Sequence, residues 1–121
     1  MKHEHKGIKR IVSAFKNSFD GFLYAFREEE AFRQDIFFCV IAAVLIFIFD
    51  FNVMERIALF SALFFILFAE VVNSSIEACI DRISSDWHKL SKAAKDMGSL
   101  LVLLSFIYFA VVWGAVFARF L

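Results

Sequence analysis

The sequence predicts an all-α polytopic membrane protein: three transmembrane helices preceded by an N-terminal amphipathic surface helix, in a single domain over residues 1–121. Three observations carry this. Apolar residues fill 61% of the 121 positions and proline is absent, whereas a soluble domain is about half apolar. Charge is missing from whole windows rather than thinned evenly. Residues 97–118 form 22 consecutive uncharged positions, roughly 33 Å of helix, enough for a hydrocarbon core of about 30 Å. Finally, eleven of the thirteen basic residues fall in two segments, before residue 36 and between 81 and 96, the asymmetry that orients a membrane chain.

The same numbers exclude other classes. The apolar content is incompatible with disorder. Thirteen basic and thirteen acidic residues leave no net charge, so no nucleic-acid surface is expected. Cys39 and Cys79 both sit in apolar runs, and the expectation is free packing thiols rather than a disulfide framework.

Taken in order, the first element spans about 7–26. Ile8, Ile11, Val12, Phe15, Phe19, Phe22, Leu23 and Phe26 recur at three- and four-residue spacing, which makes one apolar helical face. Lys9, Arg10, Ser13, Lys16, Asn17 and Asp20 fill the other. A basic flank opposite an apolar stripe fits a helix lying in the membrane interface. Packing of the stripe on the transmembrane bundle is the alternative. The run Arg27-Glu28-Glu29-Glu30 then brings acids to the mouth of the first transmembrane helix, where like-charge repulsion favours a bound cation.

That helix is expected at about 33–49, around the uncharged run 36–49. No cleavable signal peptide is expected, because this run begins late and lacks a small-residue cleavage site. The second helix grows from the uncharged run 57–69, which is short for a span. It continues through Glu70-Val71-Val72-Asn73-Ser74-Ser75-Ile76-Glu77-Ala78-Cys79-Ile80 without a breaker, so about 56–80 is expected. The third is expected at about 97–118. The basic residues put the N-terminus and an 81–96 loop in the cytoplasm, and the 50–55 turn and the C-terminus on the opposite side.

The second helix carries the informative pattern. Glu70, Asn73, Ser74, Glu77 and Asp81 are spaced i, i+3, i+4, i+7 and i+11 and share one face. An acid inside a membrane helix costs about 2.5–3.5 kcal/mol on insertion scales and asks for a reason. One reason is a helix–helix contact in which the acids pair with Arg33, Arg82 or Lys95. The other is a cation or proton site. Carboxylate oxygens suit Mg²⁺, which commonly takes one or two of them and completes its shell with phosphates and waters. That chemistry points to phosphoryl transfer, which consists largely of positioning and charge neutralisation. Lys95-Asp96-Met97-Gly98-Ser99, expected at the start of the third helix, offers a base, an acid and a glycine where a helix N-terminus favours anions. No P-loop, dinucleotide fingerprint, zinc-protease motif or paired C-x-x-C is present. His3, His5 and His88 have no metal-ligand spacing.

Three segments resemble the small bacterial diacylglycerol kinases: Glu29-Glu30-Ala31-Phe32-Arg33-Gln34-Asp35, the stretch from Glu70 to Ile83, and Ala94-Lys95-Asp96-Met97-Gly98-Ser99. Their order and spacing resemble the family over roughly residues 7–118. The resemblance implies a homotrimer with active sites shared between subunits in the bacterial inner membrane. It implies transfer of the ATP γ-phosphoryl group to the primary hydroxyl of diacylglycerol, with Mg²⁺ as cofactor. By residue, it implies Glu70 as general base with Asn73 orienting the site, and Glu29 and Glu77 as metal carboxylates that also contact ATP. Asp86, Trp87, His88, Lys95 and Asp96 would be further nucleotide contacts, completed by Arg10 and Asn17. Arg10, Ala31, Phe32, Arg33, Gln34, Asp35, Glu70 and Ser99 would face the lipid substrate. Asp35 and Asp86 stand where the family often has Glu, Asn17 where it often has an aromatic, and Trp87 where Tyr is more usual. Two rivals remain open: an undecaprenol kinase on the same scaffold, and a small proton-coupled exporter using an intramembrane Glu.

Overall fold

The computed structural model describes residues 6–121; Lys2, His3 and His5 lie outside them. The chain forms four helices: α1 (Ile8–Glu28), α2 (Glu30–Ile48), α3 (Val53–Ile83) and α4 (Lys89–Phe117), closed by a 3₁₀ turn at Ala118–Phe120. The described residues contain no strand. Glu30–Ile48, Val53–Ile83 and Lys89–Phe120 are each long and apolar enough to cross a membrane, and the chain is a multi-pass membrane protein.

Entry into α1 is made by Gly7 at φ 61°, a left-handed conformation that a Cβ would oppose. No residue of α1 is buried. Its apolar stripe meets the rest of the chain only near its end, where Phe22 lies edge-on to Phe32 with ring centroids 5.8 Å apart. Ile8, Ile11, Phe15 and Phe19 stay exposed, so this chain's own bundle does not cover the stripe. One extended residue, Glu29, separates α1 from α2. Arg33 secures the bend: its Nη1 donates to the carbonyls of Phe26 at 2.8 Å and Arg27 at 3.0 Å, satisfying acceptors that the end of α1 leaves open.

The α2–α3 contact uses small side chains. Cys39, Ala42 and Ala62 are buried together with Ile46, Leu59 and Leu63. Within a bilayer, small residues let backbones approach closely, and dispersion replaces the hydrophobic effect as the source of stability. Both cysteines are free. Cys39 packs as expected, but Cys79 is exposed, because it faces away from the α3–α4 seam.

The boundaries differ from the sequence expectation at the helix ends. Asn52 caps α3, which starts at Val53, three residues before Arg56, through a capping box: it accepts from the Glu55 N–H at 2.8 Å, and the Glu55 carboxylate accepts from the Asn52 N–H at 2.9 Å. At the other end, α3 runs on to Ile83 and α4 begins at Lys89 rather than near 97. The expected 81–96 loop shrinks to Ser84–His88. Charges mark where an apolar span stops, not where a helix stops, and Lys-Leu-Ser-Lys-Ala-Ala-Lys is good helix-forming sequence. The helix N-terminus therefore lies at His88, whose Nδ1 accepts from the Leu90 N–H at 3.0 Å. Lys95–Ser99 lie about two turns inside α4, and the expectation that they sit at a helix N-terminal anion site is corrected.

The end of the bundle away from these charges is tightly built. Arg119 donates to both carboxylate oxygens of Glu55 (2.7 and 2.9 Å) and to the Asp50 carbonyl (3.0 Å). Phe49, Phe51, Phe117 and Phe120 pack around this clamp, with ring centroids 5.3–6.1 Å apart. One turn deeper, buried Trp113 donates from Nε1 to the Leu59 carbonyl at 3.2 Å, tying α4 to α3. Trp113→Phe is expected to lower unfolding free energy by roughly 0.5–1.5 kcal/mol, the range for one interhelical hydrogen bond in a membrane. Trp113→Ala, which also leaves a cavity, should cost about 3–5 kcal/mol. Equilibrium unfolding in mixed micelles checks the ordering.

Candidate active site

The polar stripe of α3 faces the seam with α2 and α4. Glu70 is 7% exposed and is the one buried acidic or basic side chain among the described residues. Asp35 of α2 stands directly beside it, and Glu77 and Glu29 lie close enough to act on its charge. Asp35 Oδ2 is buried and accepts no hydrogen bond. Two neighbouring carboxylates repel unless a proton or a cation stands between them. Asp35 and Glu70 are both expected among the lipid contacts, and the fold sets the two side by side. That proximity has no signature in the sequence, because the two residues lie 35 positions apart on different helices.

Among the described residues no base neutralises Glu70. Arg33 is turned toward the end of α1, and Lys95 pairs with Asp81 at 2.8 Å. A helix contact held by ion pairing, one of the two explanations for the stripe, therefore does not account for Glu70. One turn further along, Asn73 presses its Oδ1 against Gly98 of α4, and that oxygen is buried without a hydrogen-bond partner.

Glu29, at the α1–α2 bend, is half-buried, as is Glu77. Among the described residues no three Asp, Glu, His or Cys side chains converge to hold an ion on their own. The carboxylates of Glu29 and Glu77 have no hydrogen-bond or ion-pair partner there either. Two free carboxylates are a partial oxygen set of the kind that Mg²⁺ completes with phosphate oxygens and water, so the residues fit a metal that arrives with a phosphate ligand.

Beyond Asp81 the stripe opens into a cavity of about 380 Å³ between the end of α3, the 84–88 connection and the first turns of α4. It gathers Asp86, Trp87, His88, Lys95 and Asp96, and adds Ser84, Ser91 and Lys92, which no sequence pattern singles out. Lys92 and Lys95 are three apart on one helix face, a signal that appears only once residues 89–96 are helix rather than loop. Both lysines are held by acids, Lys95 by Asp81 and Lys92 by Asp96 at 2.6 Å. These pairs are solvent-exposed, and such pairs are worth little, so exchanging a carboxylate for a phosphate costs little.

A second cavity of about 500 Å³ lies between α1 and α3, on the face next to the stripe. Its walls are mainly apolar, including Phe22, Phe32, Val71 and Ala78, with Ser18, Tyr24, Ser74 and Ser75 as hydroxyl-bearing residues and Glu29 as its sole carboxylate. Of the other residues that the resemblance implicates, Arg10, Asn17, Ala31, Gln34 and Ser99 are exposed and line neither cavity. Gln34 contacts Glu30 at 3.5 Å, while Phe32 is buried against α1.

Comparison with known proteins gives this geometry a context. The family model described as prokaryotic diacylglycerol kinase matches residues 16–117. Diacylglycerol kinase of Pseudomonas aeruginosa is 40% identical over 110 residues, 91% of this chain and 89% of the relative. The Escherichia coli K12 protein of the same name is 37% identical over 113 residues, 93% of each chain. The Helicobacter pylori J99 protein, also so named, is 37% identical over 109 residues, 90% of this chain and 85% of its own.

Trp87 is 76% exposed at the rim of the 380 Å³ cavity, and Trp113 is the only other tryptophan. In Trp113→Phe protein, a nucleotide seated in this cavity is expected to change Trp87 emission saturably. Lys95→Ala should weaken that titration about ten- to hundredfold, the value of one charge-assisted hydrogen bond. Fluorescence titration with ATP checks both.

Proposed function

The chain belongs to the prokaryotic diacylglycerol kinase family, and from that premise we propose that it transfers the γ-phosphoryl group of ATP to the primary hydroxyl of diacylglycerol, forming phosphatidate. The reaction requires Mg²⁺ and takes place at the cytoplasmic face of the bacterial inner membrane. The observation that carries this is the continuity of one face of α3. It leads from buried Glu70, through Asn73 and Glu77, to a cavity holding Lys95, Asp96, Trp87 and His88. A membrane-embedded acceptor and a water-soluble donor can meet only along such a line.

Glu70 is the general base. It takes the proton of the lipid hydroxyl as the oxygen attacks the γ-phosphorus and ADP departs. Its side chain lacks a cationic partner among the described residues, so an oxygen lone pair is open to that hydroxyl. Asn73 orients the reacting groups. Glu29 and Glu77 hold Mg²⁺, which supplies neutralisation of the phosphate charge. Lys95 and Lys92 exchange their carboxylates for phosphate oxygens, and Trp87 offers an aromatic face to the base. The mainly apolar cavity beside Glu29 receives the glycerol end of the lipid. Arg33 serves the substrate indirectly by fixing the Glu29 bend.

Within one chain, Arg10, Asn17 and Ser99 reach neither cavity. A homotrimer with shared sites supplies a reason for them: a neighbouring subunit provides the missing wall. The exposed stripe of α1 supports an interfacial helix, with the N-terminus and the 84–88 connection cytoplasmic and the C-terminus periplasmic. The exporter alternative is set aside by membership of a kinase family. The undecaprenol alternative is tested directly below.

Reconstituted protein is expected to form phosphatidate from diacylglycerol faster than it phosphorylates undecaprenol, as a coupled ADP-release assay would show. Turnover of the polyprenol alone would move the substrate and keep the mechanism. Glu70→Gln should lose about 10²–10⁴-fold in kcat, the usual contribution of a general base, with ATP binding retained; near-normal turnover would remove Glu70 from that role. Chelation of Mg²⁺ should abolish turnover, and Glu77→Gln should raise the Mg²⁺ needed for half-maximal rate by about tenfold or more.

A further inference from the structure

Gly98 is the only buried residue in the charged first third of α4. It has ordinary helical geometry, since the sole positive-φ glycine is Gly7, so backbone conformation does not demand a glycine. Glycine inside a helix is also less favourable than alanine. A packing reason is present instead. A Cβ built on Gly98 would overlap the Asn73 Oδ1 and lie 3.3 Å from its Cγ and 3.8 Å from its Cα. The Asn73 amide therefore occupies the volume that any side chain at 98 would take. The contacted oxygen is shielded and accepts no hydrogen bond, so steric seating against α4, not hydrogen bonding, holds it.

We propose that Gly98 is a positioning residue for phosphoryl transfer: its missing side chain forms the seat that sets the rotamer and depth of Asn73 between Glu70 and Glu77. This rests on the kinase reading above for its catalytic part and on geometry alone for the contact. Asn73 lies three residues after Glu70 and four before Glu77, so its amide is flanked by both carboxylates along one face. Its oxygen is taken up by the Gly98 seat, which leaves the Nδ2 donor as the end free to meet an oxygen of the reacting groups. A methyl at 98 would expel the amide from this seat. Misplacement by about 1 Å near reacting atoms costs about a hundredfold in rate.

The test uses full-length protein in bilayers or micelles. Gly98→Ala is expected to lower kcat at least tenfold, with KM for ATP and for diacylglycerol changed less than threefold. In the Asn73→Ala background, where the seat is empty, adding Gly98→Ala is expected to cost nothing further, the non-additivity of two residues acting as a unit. A second readout needs no turnover. The chain has three asparagines, Asn17, Asn52 and Asn73, so asparagine-selective ¹⁵N labelling gives three side-chain amide pairs. Gly98→Ala should shift the Asn73 pair and leave the distant Asn52 pair in place.

An unshifted Asn73 pair, a normal kcat in Gly98→Ala, or an equal loss in the Asn73→Ala background would each overturn the proposal. If Gly98→Ala alone fails to fold, recovery of folded protein in Asn73→Ala/Gly98→Ala supports the seat, and failure of both overturns it. A wild-type chain inert toward diacylglycerol and undecaprenol would overturn the kinase reading and the catalytic part of this assignment together. The amide shift would then still register the contact, which keeps the two failures distinguishable.

Discussion

A carboxyl group buried in an apolar helix is the constraint on which the rest depends. Placing Glu70 within α3 works against membrane insertion by a few kcal/mol, and no basic side chain among the described residues offsets it. The surrounding structure accommodates this in two ways. The polar groups Asn73, Ser74, Glu77 and Asp81 follow it on the same face toward the water, so the acid lies at the inner end of a polar track. Toward the start of α3 the same face is apolar, with Leu59, Ala62, Leu63 and Ile66 buried, so the face changes from apolar packing to polar track at Glu70. The helix can then be both a membrane span and the spine of a site.

The two ends of the bundle divide the work. At the end remote from the site, Arg119 grips Glu55 and the Asp50 carbonyl, the aromatic rings fill the space around them, and Trp113 ties α4 to α3. At the other end the helices part around two cavities, and Lys92 and Lys95 sit in exposed ion pairs that bind weakly. Regions that admit ligands come from the less stable part of a fold, and such a part persists only if another region holds the helices in register. The Arg33 contacts at the α1–α2 bend are the one firm fixture among the described residues on the open side. They secure Glu29, the carboxylate with the shortest tether to both α1 and α2.

Much of the architecture is legible in the sequence because bilayer thickness and helix rise convert directly into chain length. Uncharged windows locate three spans, and the three- and four-residue spacing of Ile8 to Phe26 locates α1. The ends are less legible. Helix persistence beyond the apolar window depends on caps and propensity, so α3 reaches Ile83 and α4 begins at Lys89 while charge alone places a sixteen-residue loop between them. The sequence marks Lys95 and Asp96 as a base and an acid near the third span, while Asp86, Trp87 and His88 join them through the family resemblance; the fold gathers all five around one cavity. Lys92 escapes notice because a loop has no helical face on which to pair it with Lys95.

The sequence by itself determined the class, the number of spans, the acidic stripe at i, i+3, i+4, i+7 and i+11, and the family resemblance, since each depends on local periodicity, composition or residue order. Only the tertiary structure decided which side chains from different helices meet. It set Asp35 beside Glu70, turned Arg33 to the end of α1 rather than to an acid, paired Lys95 with Asp81, and seated Asn73 on Gly98. These are contacts between residues far apart along the chain. They follow from helix crossing and rotation, which are fixed by packing of small and large side chains over the whole interface, and no single residue type or spacing records that outcome.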